Sequence, residues 1–315
     1  MTIIKMSEEA KSGYLFYAEF SDGYSFRNLI EYLKSTNTSG NFTFHKDGIT
    51  YIQHNNSNSL LNCVELRKCD LPVYIYRTEQ EHVRVGINLA NLRSITKSVG
   101  KKDSIRLYMV YGNPLLHISI SSPNTKELNR NNISVIRPQK IDSIEYEINE
   151  YQRDETTPNC TTPAFDFNKM CSAMNALKCS HIIVYGDESS IVFQGMFDGD
   201  LVGRTDTFGI TKKKDNFGTH NIPEISEFGK IISAPSYNEH ETPESVVRNP
   251  SQNVNSNNIK IDVSTIKALG KLNNLSPNGT IKMYMELGLP FKMISNVGSY
   301  GKLIIYLRDV PQDDA

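Results

Sequence analysis

The chain has 315 residues, 38% of them apolar and 22% charged, and its 34 Lys and Arg against 35 Asp and Glu leave a net charge of −1. This balance excludes a wholesale basic nucleic-acid binder but not a protein with one basic face. The length leads us to expect two domains, and no stretch approaches the roughly 18 continuous apolar residues of a membrane span.

Cys63, Cys69, Cys160, Cys171 and Cys179 have the spacing of neither a disulfide framework nor a zinc site, and read as free thiols of a reducing compartment. The opening MTIIKMSEEAKSG is acidic where a signal peptide needs an apolar core. An intracellular protein is expected.

Leu15–Phe20 reads as a strand rich in aromatics. In Tyr24–Ser35 the residues Phe26, Leu29, Ile30 and Leu33 recur at helical spacing, which predicts an amphipathic helix. Phe42–Phe44, Gly48–His54, Leu60–Leu66 and Val73–Tyr76 are short runs between polar turns. Their spacing predicts antiparallel sheet, not alternating β and α units. Val83–Ile120 then runs strand, helix, hairpin. Asn88 is the expected N-cap, Leu89, Leu92, Ile95 and Val99 the apolar stripe, and Gly100 the stop. The hairpin turns at Tyr111-Gly-Asn-Pro. Ile133–Ile136 and Ile144–Ile148 are further strand candidates. Tyr151–Pro163 is polar, carries two prolines and reads as a linker.

The plan then repeats. Asp166–Lys178 predicts a helix with Phe167, Met170, Met174 and Leu177 inward. His181–Tyr185, Ser190–Met196 and Leu201–Phe208 follow as strands, and Glu224–Ile232 is one more candidate. Residues 209–258 are turn-rich, with a flexible loop expected at 233–258. Ile259–Val263 leads into a helix at Ser264–Leu275, where the apolar residues fall every three positions. Thr280–Leu287, Lys292–Asn296 and Lys302–Leu307 close the sheet. A recurring unit of this kind dictates the fold.

Motifs for phosphate-cradling glycine loops, zinc hydrolysis and serine nucleophiles are missing from the sequence. Asp198, Asp200 and Glu188 are the only acidic set for a nuclease-like metal cleft, and Asp-Gly-Asp between strands reads first as a turn. The expectation is a protein that is not an enzyme, with no cofactor and no metal. The four helix candidates are basic off their apolar stripes. Packed on one side of the sheets, they would gather Arg27, Lys34, Arg93, Lys97, Lys169, Lys178, Lys267 and Lys271, with Lys101 just past the second helix, into a surface for phosphate backbone.

The stretch VRVGINLANLRSITKSVGKKDSIRLYM at 83–109, with Gly86, Ile87, Asn88, Leu89, Lys97, Gly100 and Asp103, resembles the PCNA-type DNA sliding clamps, nearest to divergent forms of large DNA viruses. Lys46-Asp47-Gly48-Ile49, the run from Asp166 through HIIVYGDESSIVFQG, and Gly298–Leu307 are similar to other segments of that family. The segment 137–163 departs from the family's connector, and 233–258 looks added.

The resemblance implies an α+β DNA-clamp fold: clamp domain 1 over 1–145, a connector over 146–163 and clamp domain 2 over 164–315, with sheets outside and short helices lining a ring. It implies a homotrimer that encircles double-stranded DNA without reading sequence and tethers a DNA polymerase as its processivity factor, in a host nucleus or a cytoplasmic viral replication site. The basic residues above would face DNA. His45, Ile136, Ile141, Leu307 and Pro311 would form the pocket for partner peptides, and strand edges near 105–120 and 174–196 would join chains. A clamp-fold accessory factor in viral transcription or repair, without ring closure, is the alternative.

Overall fold

The computed structural model describes residues 13–123, 131–141, 157–199, 201–209 and 258–308. The first run of elements is β1 (Tyr14–Phe20), α1 (Gly23–Thr36), β2 (Ser39–His45), β3 (Gly48–His54), β4 (Leu60–Arg67), β5 (Val73–Tyr76), β6 (His82–Asn88), α2 (Leu89–Thr96), β7 (Ser104–Val110), β8 (Asn113–Ser121) and β9 (Asn131–Ile136). The second is β10 (Cys160–Pro163), α3 (Ala164–Ala176), β11 (His181–Gly186), β12 (Ser190–Met196), β13 (Val202–Gly209), β14 (Ile259–Asp262), α4 (Val263–Leu269) with a 3-10 turn at Gly270–Asn274, β15 (Thr280–Tyr284), β16 (Phe291–Val297) and β17 (Gly301–Leu307).

The strands form three sheets, and every ladder described between them is antiparallel. Their orders are β5-β1-β7-β8-β9, β10-β15-β16-β17-β4-β3-β2-β6 and β13-β12-β11-β14. The eight-stranded sheet joins the two runs, because the last strand pairs with β4 from Gly301 opposite Leu66 to Leu307 opposite Leu60.

The helices start where their sequences place a cap. Asp22, Asn88 and Asp262 each accept the N–H of the third residue on, Ser25, Asn91 and Thr265, satisfying donors that a helix start leaves open. On α1, Phe26, Leu29, Ile30 and Leu33 are buried, as their spacing requires. The inward faces of the sheets and helices share one apolar core in which Phe16 stacks on Phe44 at 3.8 Å. Each large side chain so buried contributes about 1.5–3 kcal/mol.

Four expectations are corrected. Cys160–Pro163 is not linker but strand β10, with Cys160 and Thr162 buried and alternate residues outward. The helix expected to reach Leu275 gives way to 3-10 geometry at Gly270. A strict three-residue apolar spacing suits a helix of three residues per turn. On α3, Leu177 lies past the last helical residue and is 41% exposed. The helix α2 ends at Thr96, and Gly100 instead bonds the Asp103 carboxylate. The expected strands at 144–148 and 224–232, the loop at 233–258 and the core of the connector lie outside the described residues.

Candidate nucleic-acid interface

The helices make one layer. α1 touches α2 on one side and α4 with its 3-10 turn on the other, and α3 touches α4. Each buries its apolar stripe and turns its polar stripe away from the core.

The structure brings four of the expected basic residues together. Glu31 and Lys34 on α1, Arg93 on α2 and Lys267 on α4 all act electrostatically on Lys271 of the 3-10 turn. The Arg93 guanidinium lies 3.6 Å from the Glu31 carboxylate. Partial burial pushes the Lys271 pKa below the ordinary lysine value, and the positive charges of Lys34, Arg93 and Lys267 push the same way against the opposing pull of Glu31.

A second group forms around Tyr24 on α1. The Arg27 guanidinium sits 5.3 Å and the Lys101 ammonium 5.9 Å from its ring centre. Arg27 also donates to the Val99 carbonyl at 2.9 Å. Lys169 on α3 stands 4.3 Å from the centre of the Phe165 ring and 3.5 Å from Asp166. Lys97 directly follows α2, and Lys178 follows α3 with a φ of 55°. Both are exposed.

The expected peptide-pocket residues are not brought together. His45 pairs with Gly48 at the end of β2, and Gly48 lies opposite Arg67. Leu307 lies opposite Leu60, at the far end of β4, so roughly 20 Å of strand separates the two. Leu307 is itself fully buried in the core. Ile136 is buried on β9, opposite Leu116 in the five-stranded sheet. Ile141 packs on Gly86, and its carbonyl accepts the Asn41 side-chain amide at 3.2 Å. That contact lies beyond β6, four strands from β17. Pro311 is outside the described residues.

The outer face of the central sheet holds a second, small apolar cluster instead. Leu61, Cys63, Ile304 and Tyr306 form it, flanked by Ile52 and Ile294. His54, opposite Leu61, is the histidine at this end. Burial and Arg308 push its pKa down. Period-two alternation along GKLIIYL separates Ile304 and Tyr306 from Leu303, Ile305 and Leu307, but all five are apolar and the sequence alone does not say which set faces the core.

Glu188 and Asp198 occupy turns at opposite ends of β12, which sets them roughly 20 Å apart along the strand and removes the nuclease-like cleft. Asp200 lies outside the described residues. Among the described residues no group of three or more His, Cys, Asp or Glu is disposed to hold a metal. The cysteines form no disulfide. Burial pushes the Cys63 and Cys160 thiols up to about 12 and raises Cys171 and Cys179 as well, so these four are poor nucleophiles.

Residues 15–143 match the family model "Proliferating cell nuclear antigen, N-terminal domain". The crystal structure of the proliferating cellular nuclear antigen from Entamoeba histolytica superposes with a TM-score of 0.64 at 15% identity, covering 94% of this chain and 98% of that one. The chain resembles PCNA. The likeness is one of sequence in the first run of elements and of fold over 94% of the chain. No curated protein matches the sequence. The stretch 83–109, which carried the resemblance most strongly, lies inside the matched span.

Proposed function

We propose that this protein is a ring-shaped sliding clamp: a homotrimer of two-domain chains that encircles duplex DNA and tethers a DNA polymerase. The PCNA-like fold supports the general role. The observation that carries ring closure is a pair of strand edges. Within the chain, β4 of the first run pairs with β17 of the second. Their counterparts, β13 and β9, are the edges of their sheets among the described residues. A second copy supplies the missing partner of each, and closure removes edges that otherwise invite aggregation.

The internal repeat gives the register of that pairing. Asn88 and Asp262 are matching caps, opposite Ser39 and His181. Following the ladders from these anchors matches Cys63 with Thr205 and Val64 with Asp206. The Gly23 and Ala164 N–H groups, which bond Asp103 and Gly279, anchor the other side. From there Ile304 matches Ile133 and Tyr306 matches Val135. The pair Cys63–Ile304 within the chain thus becomes Thr205–Ile133 between chains. Ile133, Val135, Leu201 and Val202 are exposed large apolar residues at these two edges, and the contact would bury them. The edges differ from those expected by sequence, because β7, β8, β11 and β12 are each flanked on both sides.

On this reading Lys34, Arg93, Lys267, Lys271, Arg27, Lys101, Lys97, Lys169 and Lys178 face the hole and meet phosphates without reading bases. The outer cluster of Leu61, Cys63, Ile304 and Tyr306 receives partner peptides. The first run, to about residue 145, and the second, from residue 160, are the two domains. The site of action is the compartment of DNA replication, and the low identity to the Entamoeba protein accords with a divergent form.

Light scattering of the purified protein tests assembly; a strict monomer that also leaves polymerase run lengths unchanged sinks the proposal. Retention on circular DNA that is lost on linearisation separates encirclement from affinity, and a clamp-fold factor without a closed ring fails that assay.

A further inference from the structure

The helix layer carries aromatic rings as well as charges, and the rings sit at matching positions. Tyr24 and Phe165 are the second residues of α1 and α3. The preceding residues, Gly23 and Ala164, make the same backbone bond to the segment before β7 and before β15, respectively. The repeat therefore places a ring at one defined point in each half. Each ring lies on the polar stripe of its helix and has a cation on it: Arg27 and Lys101 at Tyr24, Lys169 at Phe165. Phe165 is 53% exposed, and its core-facing neighbour Phe167 is fully buried. A core residue displaced outward does not explain it, because the apolar stripe of α3 is already complete.

A cation on an aromatic face gains about 0.5–1 kcal/mol at an exposed site and is held in a narrower range of positions than a free lysine. The ring leaves the N–H donors of the cation able to meet an anion. Its remaining surface is apolar and suits the C–H face of a sugar. A phosphate next to a deoxyribose is the ligand with both features at this spacing.

We propose that Tyr24 with Arg27 and Lys101, and Phe165 with Lys169, are two ring-and-cation clips for the sugar–phosphate backbone of DNA. The rings act as positioning residues for the cations. The inference rests on the proposed DNA-encircling role and adds residues that no charge count identifies. Asp166 competes for Lys169 at 3.5 Å, so the Phe165 clip is the weaker of the two.

The test is the salt dependence of binding to a short labelled duplex. Tyr24→Leu/Phe165→Leu removes both rings and no charge, at helix positions that accept leucine. The slope of log affinity against log salt should flatten by about 0.9 for each phosphate released. Affinity should fall about threefold to tenfold at low salt, an order of magnitude set by loss of one or two phosphate contacts. Arg27→Gln/Lys169→Gln should flatten the slope similarly, and combining all four changes should add little, because ring and cation act as one unit. Tyr24→Phe should restore the Tyr24 clip. A Leu double variant with the slope and affinity of the unaltered protein overturns the clips while leaving the clamp intact. An unaltered protein with no salt-dependent binding overturns the proposed function and the clips with it.

Discussion

The Arg93 guanidinium of α2 lies 3.6 Å from the Glu31 carboxylate of α1, in the middle of the basic group formed by Lys34, Lys267 and Lys271. Glu31 thus offsets part of the positive potential that the helix layer presents. Replacing it by Gln should tighten duplex binding about threefold at low salt, with the gain fading as salt rises. The ion pair is part-exposed, so stability to urea should change by less than about 1 kcal/mol. Unchanged affinity with Glu31→Gln would place this group away from DNA.

Lys271 gives the interface a pH dependence. Burial foremost, and then its positive neighbours, hold its folded-state pKa below the ordinary 10.5. Between the two values the unfolded chain binds more protons than the folded one, so this group makes stability rise with pH across that window. On the proposed function DNA affinity moves the other way, because Lys271 loses its charge below the ordinary lysine value. Duplex affinity should therefore begin to decline below that value. Lys271→Arg should remove that early decline, since a guanidinium stays protonated. Anisotropy titrations over the alkaline range check this.

Asn62 ties α1 to the central sheet. Its side-chain oxygen accepts from the Tyr32 hydroxyl at 2.9 Å, and its amide donates to Thr36 Oγ1 at 2.9 Å and Asn37 Oδ1 at 3.0 Å. Asn62 and Tyr32 are fully buried, and Asn37 nearly so. Asn62→Ala leaves the Tyr32 hydroxyl and the Asn37 oxygen without this partner, at a cost of about 2–4 kcal/mol. Urea unfolding should show a lower midpoint. Tyr32→Phe together with Asn62→Ala should cost less than the two single losses added, because one buried donor goes with its acceptor.

The register proposed between chains makes a chemical prediction. Ile133→Cys with Thr205→Cys, in a Cys69→Ser background to remove the exposed thiol, places two thiols opposite one another between copies. Mild oxidation should yield covalent rings that survive denaturation and stay on circular DNA. Shifting one cysteine to Ile136 should abolish the product, since that position is buried and out of the proposed register with Thr205. Equal crosslinking from both pairs would reject the register.

Much of the fold was legible because its periodicities are strong. Gly48–His54, Val73–Tyr76 and Ser190–Met196 match the strands end for end, and the Asn88 cap is where the sequence puts it. β10 was hidden because its four residues sit among prolines and threonines and take their order from pairing with β15. The basic helix faces were readable residue by residue. Their grouping was not, since Lys34 and Lys271 are far apart in sequence and meet only when α1 packs on the 3-10 turn. The spread of the expected pocket residues was not readable either: His45 and His54 both end short strands, and only the β3–β4 register puts His54 beside Leu61. The free sheet edges at β9 and β13 required sheet order, which no single strand reveals.

The pairing of β17 with β4 also has a consequence in time. The strand β17 follows its partner β4 by more than half of the chain, so β4 is synthesised well before it. Until it emerges from the ribosome, the first half carries an unfilled slot along β4, lined by Leu60, Val64 and Leu66, that any extended segment of a neighbouring nascent chain could enter. Pairings this distant in sequence close slowly. A chain cut before residue 301 should accordingly expose β4 as an unpaired, aggregation-prone edge.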